Sequence, residues 1–389
     1  MAEAIVRIAA RGEGVSESGR HVPFAVPGDL LLDDGTIEPG PNHQVPPCRH
    51  FPECGGCQLQ HVSDAAYRDY LLARVTGALA QHGLETEIRD PHLSPPNSRR
   101  RASLKALKTA QGVLIGFNAA KSHRIVDMRE NHILRPEMIA LLPPLRTLFG
   151  ELLSSKRLGE VQLTVIDGGL DVLLTGIEAT KLPAIERLTS FAMEHRLTRL
   201  SVDPGLGVET IYEPEPATIT LSGVPVAFPV RSFLQATADG EEALVCAVRD
   251  ALSGAAAVAD LFSGLGTFAL ALKASHAAEA SRDAAAALQR AAPSMSVEHR
   301  DLYRRPLDRE ELGRFDGVIL DPPRAGAEQQ ARQLAGSTAQ RIAFVSCNPA
   351  TFARDARLLV DGGYTLDWVR PIGQFRWSTH IELAACFSR

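Results

Sequence analysis

Residues 260–268 read Asp-Leu-Phe-Ser-Gly-Leu-Gly-Thr-Phe, and this stretch decides the fold. It continues an apolar run that predicts a short buried strand, and Gly264 and Gly266 let the backbone approach a ligand before a helix begins. Two further short apolar runs, 316–321 and 341–346, follow at helix-length intervals. This alternation predicts a doubly wound parallel sheet, in which ligands bind at the carboxyl ends of the strands.

Reactive side chains follow the next two of these strands. Asp321 and Arg324 flank a Pro-Pro pair that keeps the backbone extended, and Cys347 follows the last strand directly before Asn348. Because the carboxyl ends of parallel strands meet at one edge, Asp321 and Cys347 are expected beside the glycine loop. A thiol at that edge is a candidate nucleophile. The other interpretations are a structural turn at the prolines and a small core residue at the cysteine.

The stretch 374–383 near the C-terminus alternates polar and apolar residues, which predicts one more strand. On that strand His380 and Glu382 would share a face. A glutamate buried among apolar neighbours has a raised pKa and can act as a general base, while an edge-strand carboxylate is the other interpretation. Phe375 and Trp377 are candidates either to stack on a base or to pack in the core.

The chain upstream divides into two further predicted units. Residues 1–45 alternate apolar and polar positions around glycines, which predicts a short OB-like β-barrel. Residues 46–222 mix strand-like runs, including one at 124–128, with helical ones and predict an α+β central domain. Its first helix, 63–82, can pack on the third domain, which covers 223–389.

The composition is that of an ordinary globular protein, with 389 residues, 45% apolar and 22% charged. A chain of this length favours two or three domains. The net charge of −5 means that a nucleic acid would need a local basic face, for which 99–108 is the candidate, although charge runs are often only solvated. The chain has neither an apolar run of about 20 residues nor a secretory signal, so a cytoplasmic protein without membrane contact is expected.

Three of the six cysteines lie in a Pro- and Gly-rich segment and together span only ten residues. They are Cys48, Cys54 and Cys57. The remaining cysteines are isolated, so a disulfide framework is not indicated. In a reducing compartment such a cluster predicts a metal or iron–sulfur site.

Several motifs occur together in a fixed order. They are CRHFPECGGCQLQH (48–61), SFLQ (232–235), DLFSGLGTF (260–268), DPPRAG (321–326), SCNPATF (346–352) and HIEL (380–383). Together they resemble the bacterial RNA uracil-5-methyltransferase family, whose ribosomal members carry an iron–sulfur cluster. The resemblance covers nearly the entire chain. It implies a Rossmann-like class I methyltransferase domain that uses S-adenosylmethionine, and it makes the N-terminal barrel similar to a shortened TRAM module.

The resemblance also implies roles for individual residues. Cys347 would add to carbon 6 of a uracil, and Glu382 would later remove the proton from carbon 5. The residues carried over for S-adenosylmethionine binding are Gln235, Phe262, Thr267, Glu279, Asp301 and Asp321. The substrate would be structured RNA, with 23S ribosomal RNA favoured over transfer RNA, and the enzyme is expected to act as a monomer.

The resemblance fails at one position of the cysteine site. Cys48, Cys54 and Cys57 would bind a [4Fe-4S] cluster, but Asn131 stands where the fourth cysteine is expected. Asparagine is a poor ligand for iron in such a cluster. A cluster with three protein thiolates is the favoured expectation. The alternatives are a weakly bound cluster, a lost cluster, and zinc bound by the three thiolates and His132.

Other functions remain open at this point. The same chemistry could act on transfer RNA. An RNA N-methyltransferase would use 321–324 to hold an exocyclic amine, although Arg324 stands where such enzymes have an aromatic residue. A non-catalytic iron–sulfur protein would bind RNA but not S-adenosylmethionine.

Overall fold

A computed structural model describes residues 2–155, 157–177, 179–205 and 207–389. The N-terminal unit consists of β1 (Glu3–Ile8), β2 (Gly14–Ser16), β3 (His21–Val22), β4 (Leu30–Leu31) and β5 (Ile37–Glu38). These strands pair antiparallel in the order β3-β2-β1-β4-β5. They enclose a small core of their own, formed by Ile5, Val22, Ala25 and Leu31. The curled sheet confirms the short OB-like module.

The next segment lies against the C-terminal domain. It forms α1 (Asp64–Ala80), β6 (Glu87–Ile88) and β7 (His92–Leu93). The Ser63 side chain accepts a hydrogen bond from the Ala66 amide (3.3 Å) and so caps α1. The apolar stripe of α1 is buried in the core of the C-terminal domain, with members Tyr67, Leu71, Val75 and Leu79. A helical spacing of four residues brings these side chains onto one face.

The central domain is a six-stranded sheet with helices. Its elements are β8 (Arg101–Thr109), β9 (Gly112–Gly116), α2 (Pro136–Ala140), α3 (Leu142–Leu152), β10 (Leu158–Ile166), β11 (Gly169–Thr175), α4 (Leu182–Glu194), β12 (Arg199–Asp203) and β13 (Glu209–Tyr212). The strand order is β13-β12-β11-β10-β8-β9, and only β11 and β12 pair in parallel. The sheet and helices share one apolar core, as expected for an α+β domain.

The strand predicted at 124–128 is wrong. The segment runs beside β9. The Val126 amide donates to the Phe117 carbonyl (2.9 Å), and the Met128 amide donates to the Ile115 carbonyl (2.8 Å). However, the Ile115 amide donates to the Asp127 side chain (3.3 Å) instead of to a backbone carbonyl. The side chain therefore interrupts the ladder, and only an isolated bridge at Ile125 remains.

The C-terminal domain carries the predicted parallel sheet. Its elements are β14 (Thr218–Leu221), β15 (Val224–Ala227), α5 (Ala238–Ala251), β16 (Val258–Leu261), α6 (Thr267–Leu272), β17 (His276–Glu279), α7 (Arg282–Ala291), β18 (Ser296–His299), α8 (Arg309–Leu312), β19 (Gly317–Leu320), α9 (Glu328–Ala335), β20 (Arg341–Ser346), α10 (Pro349–Asp361), β21 (Thr365–Gly373) and β22 (Glu382–Ser388). The nine-stranded sheet has the order β18-β17-β16-β19-β20-β22-β21-β6, with β7 also on β21. Strands β16 to β20 are parallel, and β22 is antiparallel to β20.

Residues 64–93 thus pack with the C-terminal domain, although they precede the central domain in sequence. Strands β6 and β7 pair with β21, and α1 packs against β21 and α10. Within the described ranges, no helix is both long and apolar enough to cross a membrane.

The packing of α1 can be tested at Leu71, which is fully buried. Leu71→Ala should lower the free energy of unfolding by about 2–5 kcal/mol, because it leaves a cavity between α1 and the sheet. Urea unfolding followed by circular dichroism measures the change. Thr76→Ala, on the exposed face of the same helix, should change stability by no more than about 0.5 kcal/mol. Equal effects of the two substitutions would contradict this packing.

Candidate active site

Three predicted residues meet at one edge of the large sheet. Asp321 follows β19 and Cys347 follows β20, so both lie at the carboxyl ends of parallel strands. Glu382 begins β22, which runs antiparallel to β20 and pairs Leu383 with Ser346. The start of β22 therefore lies at the same edge as the end of β20.

The charges of these groups influence one another. Burial raises the pKa of Cys347 to about 11, and the nearby carboxylates of Glu382 and Asp321 add to the shift. Burial, and secondarily Asp321, raises the pKa of Glu382 to about 8, while Arg101 opposes the shift. Burial alone raises the pKa of Asp321 to about 7. Three acidic groups that share a buried edge cannot all ionise easily, which is typical of a functional site.

Two features favour the thiolate form of Cys347. The residue lies immediately before α10, where Asn348 caps the helix by accepting from the Ala350 amide (3.2 Å), and a helix N-terminus stabilises a neighbouring anion. The Arg324 guanidinium also lowers the pKa of the thiol, against the stronger effect of burial. The side-chain Nδ2 of Asn348 and the Thr351 hydroxyl both donate to the Arg324 carbonyl, at 3.2 and 3.3 Å. These bonds join the proline turn to the start of α10.

The glycine loop lies between β16 and α6 and is held by Glu279. The Gly264 amide donates to Glu279 Oε2 (2.9 Å), and the Ser281 amide donates to Oε1 (2.6 Å). Gly266 has a φ of 91°, and a side chain there would collide with Leu288. A glycine is therefore required at this turn.

Asp260 under this loop is a functional candidate that sequence reasoning missed. Its carboxyl is completely buried, and neither oxygen makes a hydrogen bond of ordinary geometry with the residues that the structure describes. Burial raises its pKa well above the usual range, with further contributions from the charges of Asp321 and Glu279, while the nearby backbone N–H of Ala269 opposes the shift. A buried carboxyl without partners is costly unless a ligand supplies a donor or a positive charge. The residues present therefore fit S-adenosylmethionine, which carries an amino group and a sulfonium.

Other residues predicted to bind the cofactor lie around the loop. Phe262 adopts a φ of 65°, and its ring centroid is 5.6 Å from that of Tyr303. The Tyr303 hydroxyl donates to the Gly326 carbonyl (3.0 Å), and its amide donates to Asp301 Oδ1 (3.0 Å). Thr267 begins α6 and is partly buried. Tyr303 was not predicted as a site residue, because only the fold brings it opposite Phe262.

Gln235 lies in the loop before α5 and is buried. Its side-chain oxygen accepts a hydrogen bond from Gln374 Nε2 (2.9 Å), and its carbonyl accepts one from Arg100 Nε (3.0 Å). Both partners come from distant parts of the chain, so the sequence offers no signal for either contact.

Arg100 does not belong to a basic face, contrary to the prediction for 99–108. It is buried and forms an ion pair with Glu241 (2.6 Å). Lys105 likewise pairs with Glu160, and Lys108 donates to the Gly150 carbonyl. Arg100 is therefore an interior residue, whereas Lys105 and Lys108 are partly exposed and their predicted contact with RNA stays a prediction.

Arg99 and Arg101 instead lie near the edge of the sheet that carries Cys347 and Glu382. The Arg101 guanidinium lies 4.3 Å from the ring centroid of Phe233, and its charge lowers the pKa of Glu382. The Arg99 guanidinium lies 5.1 Å from the centroid of Phe375. Phe233 is 55% exposed, which is unusual for a large apolar side chain beside a buried site.

The loop before Glu382 differs from the predicted strand. Strand β22 begins only at Glu382, and His380 lies in the preceding turn, where its amide donates to the Ser378 hydroxyl (3.2 Å). Burial, together with the charges of Arg324 and Arg99, lowers the pKa of His380. Trp377 is buried in the core of the central domain, so it packs there and is not free to stack on a base.

The three clustered cysteines line one pocket. Its wall also includes Phe51, Met128, Glu130 and Asn131, together with Cys48, Cys54 and Cys57. Burial raises the pKa of all three thiols, that of Cys57 to about 12. In the part of the chain that the structure describes, no group of three or more His, Cys, Asp or Glu residues is arranged to hold a metal ion.

Asn131 occupies the pocket wall at the position where the fourth cysteine is expected. Its side-chain oxygen accepts hydrogen bonds from the amides of Ile133 (2.9 Å) and Leu134 (2.8 Å). The oxygen therefore shapes a backbone turn, which leaves it poorly placed as a ligand.

Comparisons with known proteins agree with this geometry. The profile of a family described as tRNA (Uracil-5-)-methyltransferase matches residues 297–389. An uncharacterized RNA methyltransferase of Zymomonas mobilis is 46% identical over 99% of both chains. The 23S rRNA (uracil(1939)-C(5))-methyltransferase RlmD of Shewanella piezotolerans is 30% identical, over 90% of this chain and 83% of its own length.

One solved structure has the same fold over the full length. It is the tRNA (uracil-54, C5)-methyltransferase of Pyrococcus abyssi in complex with S-adenosyl-L-homocysteine, with a TM-score of 0.78 and 23% identity. The match covers 100% of this chain and 99% of that protein. With the sequence relatives and the arrangement of the sheet edge, it follows that the chain belongs to the RNA uracil-5-methyltransferase family, whose members are class I enzymes that use S-adenosylmethionine.

Proposed function

We propose that the protein methylates carbon 5 of one uridine in 23S ribosomal RNA through a covalent adduct of Cys347. The single observation that carries the mechanism is the meeting of Cys347, Glu382 and Asp321 at one buried edge, where the charge of each carboxylate raises the pKa of the thiol. A nucleophile and a base within one site are what this reaction requires.

The reaction follows from the chemistry of uracil. The Cys347 thiolate forms a bond to carbon 6, and the electron pair of the 5,6 double bond moves to carbon 5 as an enolate. S-adenosylmethionine, when bound, would supply the methyl group that carbon 5 takes and would leave as S-adenosylhomocysteine. Glu382 then accepts the proton from carbon 5, the double bond re-forms, and the bond between sulfur and carbon 6 breaks to release the thiolate.

The cofactor would lie over the glycine loop. Phe262, Thr267 and Glu279 are the proposed contacts from the loop and β17, with Asp301 beyond β18. Asp321 and Gln235 would contact it from the catalytic edge. The unpartnered carboxyl of Asp260 supports a ligand with positive charge there.

The target uridine must leave its base stack to reach Cys347. Phe233 offers an exposed ring at the site, and Arg101 stabilises that ring by a cation–π contact. Ribosomal RNA is favoured over transfer RNA because Cys48, Cys54 and Cys57 match three of the four cysteine positions of ribosomal members, and because the relative from Shewanella piezotolerans is named for 23S rRNA. A monomer is sufficient for this site, since one chain supplies every proposed residue.

We also propose that Cys48, Cys54 and Cys57 bind three irons of a [4Fe-4S] cluster and that its fourth iron has no protein thiolate. Each thiolate of such a cluster binds its own iron, so three thiols on one pocket wall need not converge on a single ion. Such convergence would be needed for zinc. His132 is not among the residues that line the pocket.

The covalent step is tested with 5-fluorouridine. Fluorine at carbon 5 blocks the removal step, so fluorouridine-substituted 23S rRNA should give an adduct that survives denaturing electrophoresis, whereas substituted transfer RNA should not. Cys347→Ala should form no adduct and should lower the methylation rate by a factor on the order of 10³ or more. Glu382→Gln should accumulate the adduct even with ordinary uridine.

Cys246→Ala, which alters an exposed cysteine outside the site, is the matched control and should behave as wild type. Methylation at full rate by Cys347→Ala would exclude the covalent mechanism. If only transfer RNA formed the adduct, transfer RNA and not 23S rRNA would be the substrate.

The pH dependence follows from the raised pKa values. With Glu382 near 8 and Cys347 near 11, both groups are mostly protonated at neutral pH, and both must lose a proton to act. The value of kcat/KM should therefore rise between about pH 6 and about pH 9. Initial methylation rates at RNA concentrations well below KM, with S-adenosylmethionine saturating, measure the profile. A rate that falls over this range, with RNA binding unchanged, would contradict the assigned roles.

The cluster proposal is tested by anaerobic reconstitution with ferrous iron and sulfide. Wild type should bind a cluster that loses one iron on oxidation by ferricyanide, in the balance [4Fe-4S]³⁺ to [3Fe-4S]⁺ plus Fe²⁺, seen by electron paramagnetic resonance and iron analysis. Asn131→Cys should retain the iron, because a thiolate then holds the fourth corner.

Asn131→Ala loses the same backbone hydrogen bonds without adding a thiol, so it is the matched control and should behave as wild type or worse. Iron loss that is equal in wild type and Asn131→Cys would contradict the open fourth site. If reconstituted wild type bound no more iron and sulfide than Cys57→Ser, the cluster would be excluded.

A further inference from the structure

A buried pair of amides connects the loop before β22 to the loop before α5. Gln374 Nε2 donates to Gln235 Oε1 at 2.9 Å, and both side chains are almost completely buried. Gln374 makes a second hydrogen bond, in which its Oε1 accepts from the Thr237 backbone amide (3.4 Å).

The backbone contact determines how both amides are oriented. A peptide N–H can only donate, so the atom of Gln374 that faces Thr237 must be the oxygen. The NH₂ group of Gln374 must then face Gln235, which can receive it only with its own oxygen. The NH₂ group of Gln235 is thereby held on the other side of its amide, as a pair of donors.

The surrounding chain is built to hold Gln374 in this position. Gly240 lies in the first turn of α5, where glycine is a poor helix former, and a Cβ there would come within 2.4 Å of the Gln374 side chain. The Thr237 hydroxyl accepts from the Gly240 amide (3.1 Å) and contacts the Ser94 hydroxyl (2.8 Å). Glycine thus leaves the room that Gln374 occupies.

Gln235 is fixed through its backbone as well. Arg100 Nε donates to the Gln235 carbonyl (3.0 Å), and the same guanidinium is held by Glu241. Gln374 itself follows β21 directly, two residues after Ile372, which pairs with Glu382. The amide pair therefore lies next to the proposed base and at the catalytic edge of the sheet.

We propose that Gln374 is a positioning residue that holds the Gln235 amide with its NH₂ group available to an acceptor atom of S-adenosylmethionine. This inference rests on the proposed cofactor role of Gln235. Gln374 does not touch the cofactor in this account. Gln374 instead excludes the flipped orientation of the Gln235 amide. In that orientation the Gln235 oxygen would face the acceptor atom of the cofactor, and the two would repel each other.

The test compares two substitutions at Gln374 by calorimetric titration with S-adenosylhomocysteine. Gln374→Met removes both hydrogen bonds at similar size, so Gln235 can take either orientation, and the Kd should rise about two- to tenfold. Gln374→Glu, when ionised, can only accept, so it should turn the NH₂ group of Gln235 toward itself. The Kd should then rise more than in Gln374→Met.

Gln330 supplies the matched control. Its amide is also buried and makes two hydrogen bonds to the Leu307 backbone, at 2.9 and 3.0 Å. Gln330→Met and Gln330→Glu should lower the melting temperature without changing the Kd. Melting temperatures of all variants separate a loss of folding from a loss of orientation.

The outcomes distinguish this inference from the proposed function. Wild type that does not bind S-adenosylhomocysteine would overturn the cofactor assignment itself. If wild type binds and Gln235→Ala weakens binding, but both Gln374 variants bind as wild type does, only the positioning role fails. Equal losses of affinity in the Gln330 and Gln374 variants would also overturn it, because the effect would then be one of stability.

Discussion

The antiparallel pairing of β22 with β20 is the constraint on which the catalytic edge depends. A parallel strand at this position would begin at the opposite edge of the sheet, some distance from Cys347. Because β22 runs the other way, its first residue, Glu382, lies where β20 ends. The order of the motifs along the chain does not contain this information, since Glu382 and Cys347 are separated by a helix, a strand and a loop.

That edge is also where the protein accepts electrostatic cost. Cys347, Glu382 and Asp321 are buried together, and a fourth acid, Asp260, lies under the glycine loop without a partner in the described chain. Buried acids of this kind destabilise a free protein and favour their neutral forms. In the proposed function, a positively charged cofactor and the uracil base would offset this cost, so binding and chemistry would be coupled at the same groups.

The loop between β21 and β22 is held from three directions. The amides of Gln58 and Leu59, next to the cysteine pocket, both donate to the Trp377 carbonyl, at 2.8 and 2.9 Å. From α1, the Tyr67 hydroxyl donates to the Ser378 carbonyl (2.9 Å). Gln374 is held by the start of α5. The cysteine segment therefore supports the loop that leads into Glu382, which would connect the proposed cluster, far upstream in the chain, to that loop.

The sequence by itself determined the parts that depend on local order. The parallel strands, the glycine turn at Gly266 and the positions of Asp321 and Cys347 at strand ends all follow from neighbouring residues, and the structure has them. Family resemblance, carried by motifs along the whole chain, supplied Glu382 and the roles of the other site residues.

Only the tertiary structure decided what depends on distant partners. Arg100 is paired with Glu241 in the interior although its neighbours suggested a basic surface. The segment 124–128 does not form a strand, because the Asp127 side chain, and not a backbone carbonyl, accepts the hydrogen bond from the Ile115 amide. The contacts of Gln374 and the ring pair of Phe262 and Tyr303 likewise join residues far apart in the chain. Periodicity and spacing describe neighbours, whereas burial and hydrogen-bond partners are set only when the domains pack.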